Sequence, residues 1–141
     1  MSYGSAVGVA ALTPLWTNAG VFDATTNPTL AQVNTWIGQI SNTLDVVLAD
    51  EGFTVPVTVA SAVSMLDLLV DGWVKDLVEH SRKSGRFYSK KTLDEGMSPM
   101  LVIDKEIHEW VARKAFGLRN LGVPMNTTGA GRHLASFDVL G

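Results

Sequence analysis

The stretch TLAQVNTWIGQISNTLDVVLADEG, from Thr29 to Gly52, constrains this chain more than any other. Val33, Ile37, Ile40, Leu44 and Val47 recur at intervals of four, three, four and three. At about 100° per residue they form one narrow apolar stripe, with Leu30, Trp36 and Leu48 on its edges. The spacing predicts an amphipathic helix. Thr29 follows a proline and is placed to cap the start, with Gln32 reaching back to the Thr29 amide, while Gly52 is free to take the left-handed conformation that closes the end.

The face opposite the stripe carries Ala31, Thr35, Gly38, Asn42 and Ala49, and no charged residue occurs from Leu30 to Leu44. A solvated helix face normally carries Lys and Glu, whereas small uncharged residues let another backbone approach closely. Two readings follow. Either this helix packs on both sides, once on its own core and once on another chain, or the face is an uncharged surface or part of a larger core.

After Gly52 the segment FTVPVT reads as an extended turn fixed by Pro56, with Thr58 capping a second helix that runs to about Lys83 and ends at Gly85. Val63, Leu66, Val70, Trp73, Val74 and Leu77 mark its apolar face, and the short connection makes the two helices an antiparallel hairpin. Residues 86–98 read as a polar loop. Ser98, with Pro99 at the first helical position, opens a third helix. Ile103, Ile107, Trp110, Val111, Lys114 and Leu118 trace its stripe, and Gly122 with Pro124 stops it near Leu121. The tryptophans of the three helices, Trp36, Trp73 and Trp110, read as core anchors.

The ends are less regular. In residues 1–28, Gly4, Gly8, Pro14, Gly20 and Pro28 break any periodicity, yet Val7, Val9, Leu12, Leu15, Trp16, Val21 and Phe22 are too apolar for a free tail. An apolar arm of this kind lies on its own domain or on a neighbouring subunit, and its length favours the neighbour. Residues 123–141 read as an extended tail in which Leu134, Phe137 and Leu140 are suited to adding a strand to a partner. The expected architecture is all-α: an antiparallel helix hairpin plus a third long helix in one bundle domain, residues 29–122, with an extended N-terminal arm (1–28) and an extended C-terminal tail (123–141).

A chain of 141 residues is long enough to bury one core without metal or disulfide help, and with no cysteine it has no thiolate chemistry. No apolar run approaches the roughly 20 residues that span a bilayer, and no basic region precedes the first apolar segment, so a soluble intracellular product without membrane contact is expected. The charge is polarised. Residues 1–74 hold six acids and no base, a net −6, whereas residues 75–141 hold eleven bases and eight acids, a net +3. Such a split either orients like subunits head to tail or cancels within one chain.

Motifs for chemistry are incomplete. His108 and Glu109 begin a zinc-protease pattern, but Ala112 stands where the second histidine belongs, and His80 and His133 lie on other elements. Asp104 and His108, four apart, read as a helix-surface pair. The adjacent acids Asp50 with Glu51, and Asp94 with Glu95, diverge rather than converge on one bond. Asp50 and Glu51 also sit at a helix C-terminus, where the dipole disfavours negative charge, so a cation from another element or subunit is expected near them. Gly129, Gly131 and Arg132 lack the Lys-Ser/Thr of a phosphate loop. No enzyme, metal or cofactor is expected. One dense basic segment stands out, SRKSGRFYSKK, in which Arg82, Lys83, Arg86, Lys90 and Lys91 alternate with Phe87 and Tyr88. It suits phosphate contact with base stacking, docking on an acidic protein surface, or a solvated loop after a helix C-terminus.

The segment TLAQVNTWIGQISNTLDVVLADEGFTVPV, a capped helix ending in glycine plus an aromatic, then a proline-containing turn and a second long helix, resembles the head-to-tail adaptor, or connector, proteins of tailed bacteriophages. The likeness covers residues 29–85 and, more loosely, the third helix. It implies a small helical protein without an active site, made in the host cytoplasm and resident in the virion neck. Such a protein assembles as a ring, typically twelve-fold, beneath the portal protein and joins the head to the tail or to a stopper protein. Arms and tails that reach into neighbours belong to the same resemblance. On this basis Ala31, Thr35, Gly38 and Asn42, with Trp16 of the arm, are the expected subunit interface. Arg82, Lys83, Arg86, Lys90 and Lys91 are the expected contact with portal or passing DNA. The competing reading is a small helical nucleic-acid-binding module that uses the same basic segment.

Overall fold

A computed structural model describes residues 2–82 and 98–126, and three of its helices open at a capping Ser or Thr side chain. In chain order the elements are α1 (Ala6–Leu12), a 3-10 turn (Pro14–Trp16), α2 (Leu30–Asp50), α3 (Ala60–Arg82) and α4 (Pro99–Asn120). The fold is a small all-α bundle, as expected. Thr29 accepts the Gln32 amide at 3.2 Å, and the Leu30 amide donates to the Asp23 carbonyl at 3.0 Å. At the far end Gly52 has φ +95, the Phe53 amide donates to the Leu48 carbonyl at 3.0 Å and the Gly52 amide to Ala49 at 2.9 Å. This paired closure satisfies carbonyls that the last turn would otherwise leave open.

α4 repeats the solution. Ser98 accepts the Leu101 amide at 3.2 Å, Pro99 fills the first position, and Gly122 at φ +87 allows the Val123 amide to reach the Leu118 carbonyl at 3.2 Å. The start of α3 differs from expectation. Val59, not Thr58, supplies the first accepting carbonyl, to Val63 at 2.8 Å. The reason lies one residue earlier: Val57 is buried and its amide donates to the Tyr3 hydroxyl at 2.8 Å, which holds the chain extended past Thr58.

α2 and α3 form the hairpin, and α4 lies against both. Val33, Ile37, Ile40, Leu44 and Leu48 of α2 meet Leu66, Val70, Val74 and Val78 of α3 and Ile103, Ile107, Val111 and Leu118 of α4 in one core. Trp73 and Trp110 are buried and Trp36 is half-buried against the same core. Lys114, which shares the α4 stripe in sequence, is exposed. The Trp73 indole donates to Glu106 at 3.0 Å, so the buried ring keeps a partner for its one polar atom.

The N-terminal segment corrects the expectation of an extended arm laid on a neighbour. Tyr3, Val9, Ala10 and Phe22 are buried in the chain's own core, and α1 rests chiefly on α3. Ser5 caps α1 by accepting the Gly8 amide at 3.0 Å. The Gly4 and Ser5 amides donate to Asp67 and Asp71, one turn apart on α3, at 2.7 and 2.9 Å. A helix of seven residues is too short for periodicity to reveal it. Backbone pressed onto carboxylates explains the glycines: Gly4 has φ +79, and a Cβ on Gly8 would strike the Asp71 carboxylate. The C-terminal tail likewise begins inside the fold. Val123 is buried, Thr54 donates to the Pro124 carbonyl at 2.8 Å and Asn126 to the Gly52 carbonyl at 2.6 Å. Residues 127–141 lie outside the described residues, as do 83–97 with the expected helix end at Gly85.

Candidate functional site

The outer face of α2 is left uncovered by the described residues. Ala31, Thr35, Asn42 and Ala49 are exposed, and Gly38 is partly exposed with nothing within 4 Å of where a Cβ would stand. Helical spacing adds Val46, 62% exposed, to the same strip. The polar groups of the face are partly satisfied internally, since the Thr35 hydroxyl donates to the Ala31 carbonyl at 3.0 Å. The strip therefore offers small surfaces and one apolar knob rather than a row of charges. Four of the five residues named as an interface share it. Trp16 does not belong to it, being half-buried against the core.

The basic segment receives a different placement. Arg82 is the last residue of α3, and Lys83, Arg86, Lys90 and Lys91 lie outside the described residues. The described bases other than Arg82 divide in two. Lys75 sits 3.9 Å from both Asp76 and Glu79. Lys105, Arg113, Lys114 and Arg119 are all exposed on α4. Asp76 is pushed up to about 6, first by burial and then by Glu106 and Glu79 against the opposing pull of Lys75. The Arg119 guanidinium lies 5.8 Å from the centroid of the Phe116 ring, and that ring is 68% exposed. Phe116 was not singled out by the sequence. The available signal was its position opposite the buried α4 stripe, with Ala112 one turn before it and Arg119 one turn after.

Between α2 and α4 an apolar cavity of about 170 Å³ is lined by Ile40, Thr43, Met100, Leu101, Ile103, Asp104 and Ile107. Asp104 is its one ionisable group. The Asp104 carboxylate lies 3.8 Å from His108, the helix-surface pair read from the sequence. Nothing in this lining sets a base beside a nucleophile. Among the described residues no group of three His, Asp or Glu side chains is placed to hold a metal ion. No helix among them is long and apolar enough to cross a membrane.

The most chemically elaborate cluster lies at the N-terminal joint. Tyr3 donates from its amide to Ser41 Oγ at 3.0 Å, accepts from that hydroxyl at its carbonyl at 3.0 Å, and donates from its own hydroxyl to Asp45 at 2.6 Å. Burial, reinforced by the Asp45 hydrogen bond, raises the phenol far above its ordinary range, and burial likewise raises Asp45 and Asp71. Every one of these bonds joins chain to chain within the monomer, so the cluster reads as structural. No protein-family model, curated protein or solved structure matches this chain.

Proposed function

We propose that this chain is a structural subunit of a head-to-tail adaptor ring in the neck of a tailed bacteriophage, with the outer face of α2 at the contact between subunits. The observation that carries this reading is the uncharged strip of Ala31, Thr35, Gly38, Asn42 and Val46, which no other described residue covers. The hairpin that bears the family resemblance presents it, and a solvated helix of this length would carry charge there. On this reading the ring, twelve-fold by resemblance, sits between the portal protein and the tail or stopper, and the chain performs no catalysis. The basic residues from Arg82 to Lys91 then meet the portal or the DNA passing through.

Native mass measurement and negative-stain imaging of the chain with purified portal test the reading, and a stable monomer with no rings sinks it. Gly38→Arg and Asn42→Arg locate the contact. Because no described residue lies within 4 Å of a Cβ at Gly38, an arginine there meets none of the described fold. Unchanged helical circular dichroism with loss of rings is the expected result. Rings that persist in both variants would show that this face is free.

A further inference from the structure

A ring of identical subunits needs two different patches on each chain, because a heterologous contact joins the first patch of one copy to the second of the next and leaves each copy with its other patch open. If the outer face of α2 is the first, the second has to be uncovered, apolar at its centre and opposite in charge. The C-terminal half of α4 has these properties. Phe116 is 68% exposed, with Ala112 exposed one turn before it and the Arg119 guanidinium over its ring. From Trp110 to Asn126 the sequence contains Arg113, Lys114 and Arg119 and no acid. Helical spacing sets Arg113 and Arg119 on the Phe116 side and Lys114 on the opposite side; all three are exposed, and none forms an ion pair with another described residue.

The α2 side has the complementary character. No base occurs in residues 1–74, and the strip runs toward the C-terminal end of its helix, where the dipole adds negative character. A pairing of α4 with α4 would set base against base. We infer that the Phe116–Arg119 face of α4 in one copy docks on the Gly38–Asn42–Val46 strip of α2 in the next copy. Phe116 meets the small residues, and Arg113 and Arg119 lie toward the C-terminal end of α2, where the helix dipole is negative. Phenylalanine and arginine are both enriched at the cores of protein interfaces. This inference rests on the ring reading above.

Sedimentation of the full chain at low salt tests it with Phe116→Asp, Gly38→Arg and their equimolar mixture, circular dichroism serving to verify folding. Each variant alone should self-associate about thirtyfold more weakly than the wild type, the loss of one dominant contact. The mixture should form a one-to-one dimer and stop there, since one intact α4 face meets one intact α2 face. Arg119→Glu, at an exposed site, should give the same loss. A Phe116→Asp chain that associates like the wild type assigns the α4 face to another occupant and overturns the inference while the ring reading survives. Variants that dimerise singly would mean self-pairing faces and overturn it too. A wild type monomeric at every concentration, with portal present, removes both.

Discussion

The α2–α3 hairpin is joined to the rest of the chain on two sides, and the joints follow different physics. At the N-terminal joint Tyr3, Ser41, Asp45, Asp67 and Asp71 lock backbone amides and one phenol into directed bonds, with glycines where backbone meets carboxylate. At the α4 joint Ile103, Ile107, Trp110 and Val111 meet apolar neighbours, a cavity of about 170 Å³ opens beside them, and one side-chain bond, from the Trp73 indole to Glu106, crosses from α3. Directed bonds with desolvated partners fail when one atom is removed. Apolar packing loses stability in proportion to what is removed. The first joint therefore fixes geometry, and the second supplies area.

The largest expected effect separates the two at the cost of a single atom. Tyr3→Phe removes one oxygen yet leaves both the Asp45 carboxylate and the Val57 amide without their partner, at about 1–3 kcal/mol for each group. Ile107→Val removes one methyl from the other joint and should cost about 0.5–1.5 kcal/mol. Urea unfolding of the two variants measures the difference, and equal losses would erase the distinction.

Glycine substitutions give the next contrast, and here the sign changes. Gly8→Ala would drive a methyl into the Asp71 carboxylate that holds the Ser5 amide; displacing it should destabilise by about 1–3 kcal/mol. Gly117 sits in α4 with open space around it, so Gly117→Ala should stabilise by about 0.5–1 kcal/mol through helix propensity alone. Thermal melts of the two variants should move in opposite directions.

Acidity sharpens the comparison further. Asp76 titrates near 6 in the folded chain against an ordinary 3.8, so the folded state holds a proton that the unfolded state releases. The resulting stability is complete below about pH 4 and is lost as pH rises through 6, amounting to about 1–2 kcal/mol. Asp76→Asn should flatten urea midpoints measured across this range. Asp45 and Asp71 are also raised by burial, so the slope left in that variant reports the N-terminal joint. Asp23 acts in the opposite sense, since the Thr25 hydroxyl and amide hold its carboxyl below the usual range. Its share is lost only as pH falls.

What the sequence made legible were signals confined to a few neighbouring positions. Thr29 with Gly52 and Ser98 with Gly122 bound α2 and α4 because capping joins residues three to five apart. The uncharged face of α2 was equally plain, since missing charges are visible in a string. The N-terminal joint was not. Its bonds connect Tyr3 to Ser41 and Gly4 to Asp67, far apart in sequence, and Asp67 and Asp71 on a helix look like an ordinary solvated pair until a backbone is laid across them. The apolar content of residues 1–28 correctly required a surface to lie on, but not whose surface. Phe116 escaped notice for the converse reason: it stands outside the stripe that defines its helix.

One small feature carries a mechanical consequence. The chain leaves α4 through Val123 and returns to the hairpin turn, where the Thr54 amide holds Pro124 and the Asn126 amide holds Gly52. Tension applied at Asn126 reaches the Asn126–Gly52 bond first, the Thr54–Pro124 bond second, and buried Val123 only after both have parted. The short bridge thus acts as a strain relief, like the clamp on a cable. A pull passed along the chain to Asn126 is spent on this bridge before it reaches the last turn of α4.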